Sequence, residues 1–332
     1  MTDYLIKETP DDFIVEENMD LPLKKTGEYT YFKLTKKNWN TLDALDAIAK
    51  RLNLQTKQFN YAGIKDKNAI TSQYVSCFRL NYKNLEKINI PGIQVEYVGH
   101  GDERLKLGQL TSNTFTITVK RLQEKKPEIA FIENYFDDQR FAGTNHLIGR
   151  AFTQGKWEEA TKILNLPVQN NDHMGALRQN VTKKMLVFYL NAYQSYLWNE
   201  AVRMYLEGVY TEGWKSFYHG GELLFSNEKI EQKIVPLLGY LIQLRDEDIK
   251  PYYETLMHKD GIVMKDFLFV MMPELRSEGN ERDMIVPLND LKVHYSRDTV
   301  KKDHYQCQLK FTLPPGSYAT MVIKKMFSQK ST

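Results

Sequence analysis

The sequence predicts an α+β fold: a mixed sheet domain built from the two ends of the chain, with a mainly helical domain inserted between them. Three observations carry that reading. Strand-like alternation marks the first third, as where Phe115, Ile117 and Val119 alternate with Thr116 and Thr118. It fades from about Gly149 to Asp283, where apolar residues recur at helical spacing. It returns after Leu291, where Gln306, Gln308 and Lys310 alternate against Cys307, Leu309 and Phe311. The expected boundaries are 1–150 plus 288–332 for the sheet domain and 151–287 for the insertion.

Taken in order, residues 29–34 are β-branched and aromatic and predict a strand, after which Lys36, Lys37 and Asn38 form a polar turn. Thr41 is the expected N-cap of a helix whose buried stripe is Leu42, Leu45, Ile48, Ala49 and Leu52. Strands are expected over 73–80 and 114–120. The clearest helix runs over 185–206, where Leu186, Leu190, Tyr193, Leu197, Ala201 and Met204 keep steps of three and four before Gly208. No internal repeat or low-complexity run interrupts this order.

Composition bounds the function. The 332 residues, 42% hydrophobic and 26% charged, fit a soluble globular chain with room for more than one core. A net charge of +3 permits a polyanionic partner without requiring one. Cys77 and Cys307 stand too far apart in sequence for a CxxC redox pair, and two thiols cannot make a four-thiolate zinc site, which fits a reducing, cytoplasmic setting. The start, MTDYLIKETPDDF, lacks the basic and apolar runs of a signal peptide. The longest apolar stretch, 234–244, is broken by Pro236, Gly239 and Gln243 and is shorter than the roughly 20 residues that span a bilayer, so no membrane partner is expected. GxxxxGK, GxGxxG and HExxH are missing, and the seven histidines are scattered, so neither a nucleotide cofactor nor a metal is expected.

The most informative segment is YAGIKDKNAITSQ, residues 61–73. Gly63 permits a tight backbone, and Lys65 and Lys67 flank Asp66, the setting a carboxylate nucleophile or general base requires. As a bare tripeptide, Lys-Asp-Lys reads first as a solvated surface turn, and its charge pattern alone does not settle a role.

The run GIKDKNAITSQ resembles the motif of the TruD family of pseudouridine synthases, matching at Gly63, Lys65, Asp66, Ala69, Thr71 and Gln73. Three further segments match in family order: PDDFIVEE (10–17), NYFDDQRFAG (134–143) and FTLPPGSYAT (311–320). Within the insertion, AYQSYLWN (192–199) matches best. Ala142, between Phe141 and Gly143, and Ser112, in LGQLTSN, depart from the family pattern at backbone turns.

The resemblance implies a pseudouridine-synthase-type mixed, mainly antiparallel sheet flanked by helices, with an inserted TRUD domain. It also implies a monomer that isomerises uridine to pseudouridine in structured RNA, typically uridine 13 in the D arm of tRNA, with no cofactor. Such a reaction trades a glycosidic N–C bond for a C–C bond without net redox change. Asp66 becomes the catalytic carboxylate, either attacking the nucleoside or removing a ribose proton. Phe13, Asn134 and Tyr318 become substrate contacts, with Phe136 as a further stacking wall and Lys7 either pairing with Asp66 or holding a phosphate. Aromatic residues in strand patterns also fit a plain core role, and Gln139 and Arg140 fit a surface pair or an interdomain clamp. Lys36, Lys37, Arg79, Arg104, Lys106, Lys324 and Lys325 are candidates for phosphate contacts along a cleft between the domains. Two other readings stand beside this one: a catalytically silent RNA-binding or RNA-chaperone protein of the same fold, and a metal-dependent nuclease using Asp66 with Asp137 and Asp138.

Overall fold

The structure, a computed structural model, describes residues 4–328; residues 1–3, the start of the N-terminal segment read above, and 329–332 lie outside the described residues. Its contacts divide the chain into two compact units, 1–130 with 288–319 and 131–287 with 320–332. The first division falls at 130/131, not 150/151, for two reasons. Strand Phe131–Glu133 pairs antiparallel with Ile285–Pro287, and helix Asn145–Thr153 packs on helix Lys183–Val209.

The first unit holds an eight-stranded sheet made of β1 (Phe13–Asn18), β2 (Tyr29–Lys37), β3 (Phe59–Tyr61), β4 (Ile70–Phe78), β5 (Ile93–Gly101), β6 (Ser112–Leu122), β7 (Lys292–Arg297) and β8 (Tyr305–Leu313). The order is β7-β8-β6-β1-β4-β2-β5, with β3 added on β4. β1 and β4 run parallel and the other pairs antiparallel, so the sheet is mixed and mainly antiparallel. The period of two sets its register: Phe13 opposes Ile117, Val15 opposes Phe115, and Phe311 opposes Phe115 with the rings stacked at 5.6 Å.

Helix α1 (Thr41–Leu52) buries Ala44, Leu45, Ile48 and Ala49 against Phe32, Leu34, Val75 and Cys77 of the sheet. Each large side chain so buried contributes about 1.5–3 kcal/mol. Two expectations are corrected here. Leu42 is 47% exposed, because Thr41 is the residue four before Leu45 and takes the buried position. The N-cap is Asn40, which leaves the Thr41 hydroxyl for another task.

The second unit is organised on helix Lys183–Val209, which buries Leu186, Leu190, Tyr193, Leu197, Trp198, Ala201 and Leu206. Gly149 lets helix Asn145–Thr153 approach it closely, since a Cβ there would lie 2.2 Å from the Tyr189 carbonyl oxygen. Helices Trp157–Ile163, His173–Asn180 and Lys250–Asp260 belong to this unit too, with the short antiparallel pairs Trp214–Tyr218 with Gly221–Phe225 and Ile234–Leu237 with Asn280–Asp283. Ala142 takes a left-handed conformation (φ 30°) at the end of the short helix Asp138–Phe141, so the residue that departs from the family pattern sits where glycine is easier to accommodate.

Candidate active site

Asp66 lies in the loop between β3 and β4, and that loop is tied down from several directions. Lys36, on the inward face of β2, is fully buried and donates to the main-chain oxygens of Trp39 at 2.7 Å, Lys65 at 3.2 Å and Asp66 at 2.7 Å. Burial pushes its ammonium down to about 8, against the pull of the Asp66 charge, with Lys65 adding a smaller push. The Thr41 hydroxyl accepts from the Lys65 backbone N–H at 3.0 Å and donates to Gln73 Oε1 at 2.9 Å, while Gln73 Nε2 donates to the Gly63 carbonyl at 2.9 Å. These contacts fix the backbone on both sides of Asp66. Gly63 needs no special backbone here, for an added Cβ would meet only the Lys65 ammonium, at 3.9 Å.

The charges around Asp66 are not arranged as the tripeptide suggests. Lys65 turns inward to Glu17 at 2.8 Å and Asn113 Oδ1 at 2.7 Å, and Glu17 also accepts from the Tyr74 N–H at 3.1 Å. Lys67 is exposed. The cation that meets the Asp66 side chain is Lys7, with Nζ 2.6 Å from Oδ2 and the two side chains 22% and 37% exposed. The same ammonium lies 3.9 Å over the Phe13 ring, which is buried and packs edge-on against Phe115. The structure therefore joins Phe13, Lys7 and Asp66 in one chain of contacts.

Asn134 and Phe136 belong to the second unit and are joined there by a residue that carries no sequence motif, Arg282. Its Nε donates to the Asn134 main-chain oxygen and its Nη2 to Asn134 Oδ1, both at 2.8 Å, while the guanidinium lies 4.0 Å over the Phe136 ring. Asn134 Nδ2 donates to the Asp283 carbonyl at 3.0 Å, so the flip of its amide is set by partners on both sides. Asn199 clasps the Phe136 backbone, accepting its N–H and donating to its carbonyl at 2.9 Å each, and Trp198 meets the ring edge-on. Tyr318 is half-buried in the segment between β8 and helix Ala319–Phe327, in the first unit.

Several cations expected to face RNA are occupied internally. Lys36 is consumed by the Asp66 loop, and Lys325 is buried against Glu133 at 3.0 Å. Lys324 binds Asp137 at 2.6 Å and Asp138 at 2.9 Å. Burial raises the Asp138 carboxyl, but Lys324 and His219 more than offset this and hold it below its usual range. Lys37 and Arg79 make exposed pairs with Asp11 and Glu28, whereas Arg104 and Lys106 are simply exposed. The nuclease reading loses ground accordingly, since Asp137 and Asp138 already share an ammonium. Among the described residues no cluster of three or more His, Cys, Asp or Glu is arranged to hold a metal ion. Also among them, no helix is long and apolar enough to cross a membrane.

The architecture matches a crystal structure from Methanosarcina mazei assigned to tRNA pseudouridine synthase D (TruD), with a TM-score of 0.75 and 21% identity over 98% of this chain and 93% of that one. That likeness defines the fold as the mixed-sheet type with an insertion. The sequence pattern described as tRNA pseudouridine synthase D (TruD) matches residues 2–167 and 161–326, and the chain belongs to the TruD family. It is thereby an enzyme of the isomerase class. A tRNA pseudouridine synthase D of Aquifex aeolicus is 29% identical, with 98% of each chain covered. A relative from Methanocaldococcus jannaschii bearing the same family name is 29% identical over 96% of this chain and 90% of its own.

Proposed function

We propose that this enzyme converts uridine 13 in the D arm of tRNA to pseudouridine, with Asp66 as the catalytic carboxylate. The observation that carries the reading is the asymmetry of that carboxylate. Oδ2 is held by Lys7 at 2.6 Å, Oδ1 has no hydrogen bond within the described chain, and the loop beneath is fixed by Lys36, Thr41 and Gln73. One oxygen is anchored and the other is left for a substrate. Both chemical routes need such an oxygen, because attack at the anomeric carbon and removal of the adjacent ribose proton each begin at the sugar. The uracil then leaves with the bonding pair, turns, and rejoins the anomeric carbon through its C5 as Asp66 is released from the sugar or the ribose proton is returned; C5 loses its proton and N1 takes one up, so the product is an isomer.

A base stacked in folded RNA must first be extruded, and a flat ring with a polar reader suits the extruded form. Phe13, Phe136 and Tyr318 are proposed as the rings. Asn134 is proposed as the reader, since its amide keeps one N–H and one lone pair beyond those bound by Arg282 and Asp283. The family name supports tRNA as the substrate class.

Unmodified tRNA incubated with the protein and a chelator, then mapped chemically for pseudouridine, tests the reading. The wild type should modify position 13 and Asp66→Asn should bind without converting, a loss of at least about 10³ in rate. Binding without conversion by the wild type would favour the silent RNA-binding alternative.

A further inference from the structure

We infer that the β7–β8 hairpin, together with Lys125, is a second tRNA contact, one that grips the phosphate backbone away from the reacting base. The inference rests on the tRNA reading above but not on Asp66. The hairpin loop is ordered by its own acid. Asp298, 3% exposed, accepts from the backbone N–H groups of Val300 at 2.8 Å and Lys301 at 3.0 Å through Oδ1, and from that of Arg121 at 2.9 Å through Oδ2. The loop closes with bonds from Asp298 N to His304 O and from His304 N to Lys301 O. Its single buried negative charge is thus spent on N–H groups, and Lys301 and Lys302 stand outside as exposed cations.

Beside them the Arg297 guanidinium lies 4.6 Å over the Tyr305 ring, and the Lys125 ammonium lies 5.5 Å from the same ring and 5.9 Å from that of Tyr295. Among the described residues no carboxylate pairs with Lys125, Arg297, Lys301 or Lys302. Of the nearby acids, Glu124 pairs with Lys126 and Glu8 with Lys120 and Arg121; Asp303 lies against His304 and also interacts with the Lys301 charge, and Glu128 is exposed. Three cations on the hairpin, with Lys125 beside it, outnumber the one exposed carboxylate of the loop, Asp303, and a polyanion relieves that excess of positive charge. Rings that hold Arg297 and Lys125 also reduce the rotamer freedom lost on binding. The exposed, spaced cations suit successive phosphates of a backbone, and a guanidinium can take one bidentately.

The test uses the full chain carrying Lys125→Ala, Arg297→Ala, Lys301→Ala and Lys302→Ala together, with Lys301→Gln/Lys302→Gln as a milder partner should the first fold poorly. Affinity for tRNA is measured over a range of salt, alongside single-turnover and steady-state conversion. We expect the slope of log affinity against log salt to become shallower by about 3 in the quadruple variant. KM should rise roughly tenfold while kcat stays within about twofold. Lys301→Arg/Lys302→Arg should keep the wild-type slope. An unchanged slope and KM in a folded variant overturns the inference, as does a loss confined to kcat or a defect seen only with anionic lipid vesicles. If the wild type makes no pseudouridine, the catalytic reading fails, and the salt slope still decides this one.

Discussion

Lys36 Nζ donates to the main-chain oxygen of Asp66 at 2.7 Å from a position sealed from solvent. A buried ammonium on three carbonyls is costly to form and rigid once formed. Lys36→Met removes the desolvated charge but leaves three carbonyls without their donor, each costing about 1–3 kcal/mol if it stays dry. We expect a net loss of about 2 kcal/mol in urea unfolding and a fall in kcat of roughly 10² as the loop relaxes. Wild-type turnover would mean that Thr41 and Gln73 hold the loop unaided. The pH dependence has a definite sign. The folded value of about 8 lies below the ordinary 10.5, so between them the unfolded chain binds the extra proton and this group's contribution to stability rises with pH. The stability of wild type relative to Lys36→Met should increase from pH 7.5 to 9.5. Turnover should fall over that window, because a neutral amine has only two N–H groups for three carbonyls.

Lys7 joins the Asp66 carboxylate to the Phe13 ring, and Lys7→Met separates these roles by keeping an aliphatic chain on the ring while removing the charge. The pair is partly exposed, so stability should change by less than about 1 kcal/mol. A kcat lowered about 10- to 100-fold with KM changed less than threefold would place Lys7 with the carboxylate. A rise in KM alone would instead assign it to a substrate phosphate.

The sheet was legible in the sequence because one face of each central strand is buried, which forces alternation at Phe115, Ile117 and Val119 and at Cys307, Leu309 and Phe311. Asp66 could be singled out as a candidate because its motif is local. Its supports could not. Lys36 reads as part of a polar turn until the strand is seen to continue through Lys37 and to point that side chain inward. Glu17 and Asn113 reach Lys65 from strands distant in sequence. Nothing in a short window reports such pairings, and Arg282, 148 residues from Asn134, lies in a region without a matched motif.

Arg282 makes its own prediction. Lysine cannot reproduce two N–H bonds to Asn134 together with a planar face on Phe136, so Arg282→Lys should lower kcat/KM about 30-fold, near 2 kcal/mol. A double-mutant cycle with Asn134→Ala should give a coupling of about 1–2 kcal/mol in transition-state stabilisation. Independent effects would show that Arg282 supports Phe136 alone.

The last prediction concerns a cation that the sequence offered to RNA and the fold withdrew. Lys325 and Glu133 are 1% and 0% exposed, and the ammonium lies 3.0 Å from the carboxylate and 3.5 Å over the Phe131 ring. Tyr210 Oη donates to the same carboxylate at 2.8 Å and the Ser226 N–H at 3.1 Å. Burial raises the Glu133 carboxyl, with Lys325 opposing, and lowers the Lys325 ammonium. Removing one partner strands the other, so Lys325→Met should cost about 3–5 kcal/mol, while Lys325→Met/Glu133→Gln should recover most of it. The single variant's deficit should be smaller at pH 5 than at pH 8, because a carboxyl with a raised folded value takes up a proton more readily in the folded than in the unfolded chain as pH falls. Affinity for tRNA should stay at the wild-type level wherever the variants are folded. Equal losses in the single and double variants would show that the two charges are not coupled, and weakened tRNA binding by the folded double variant would return Lys325 to the RNA-binding surface.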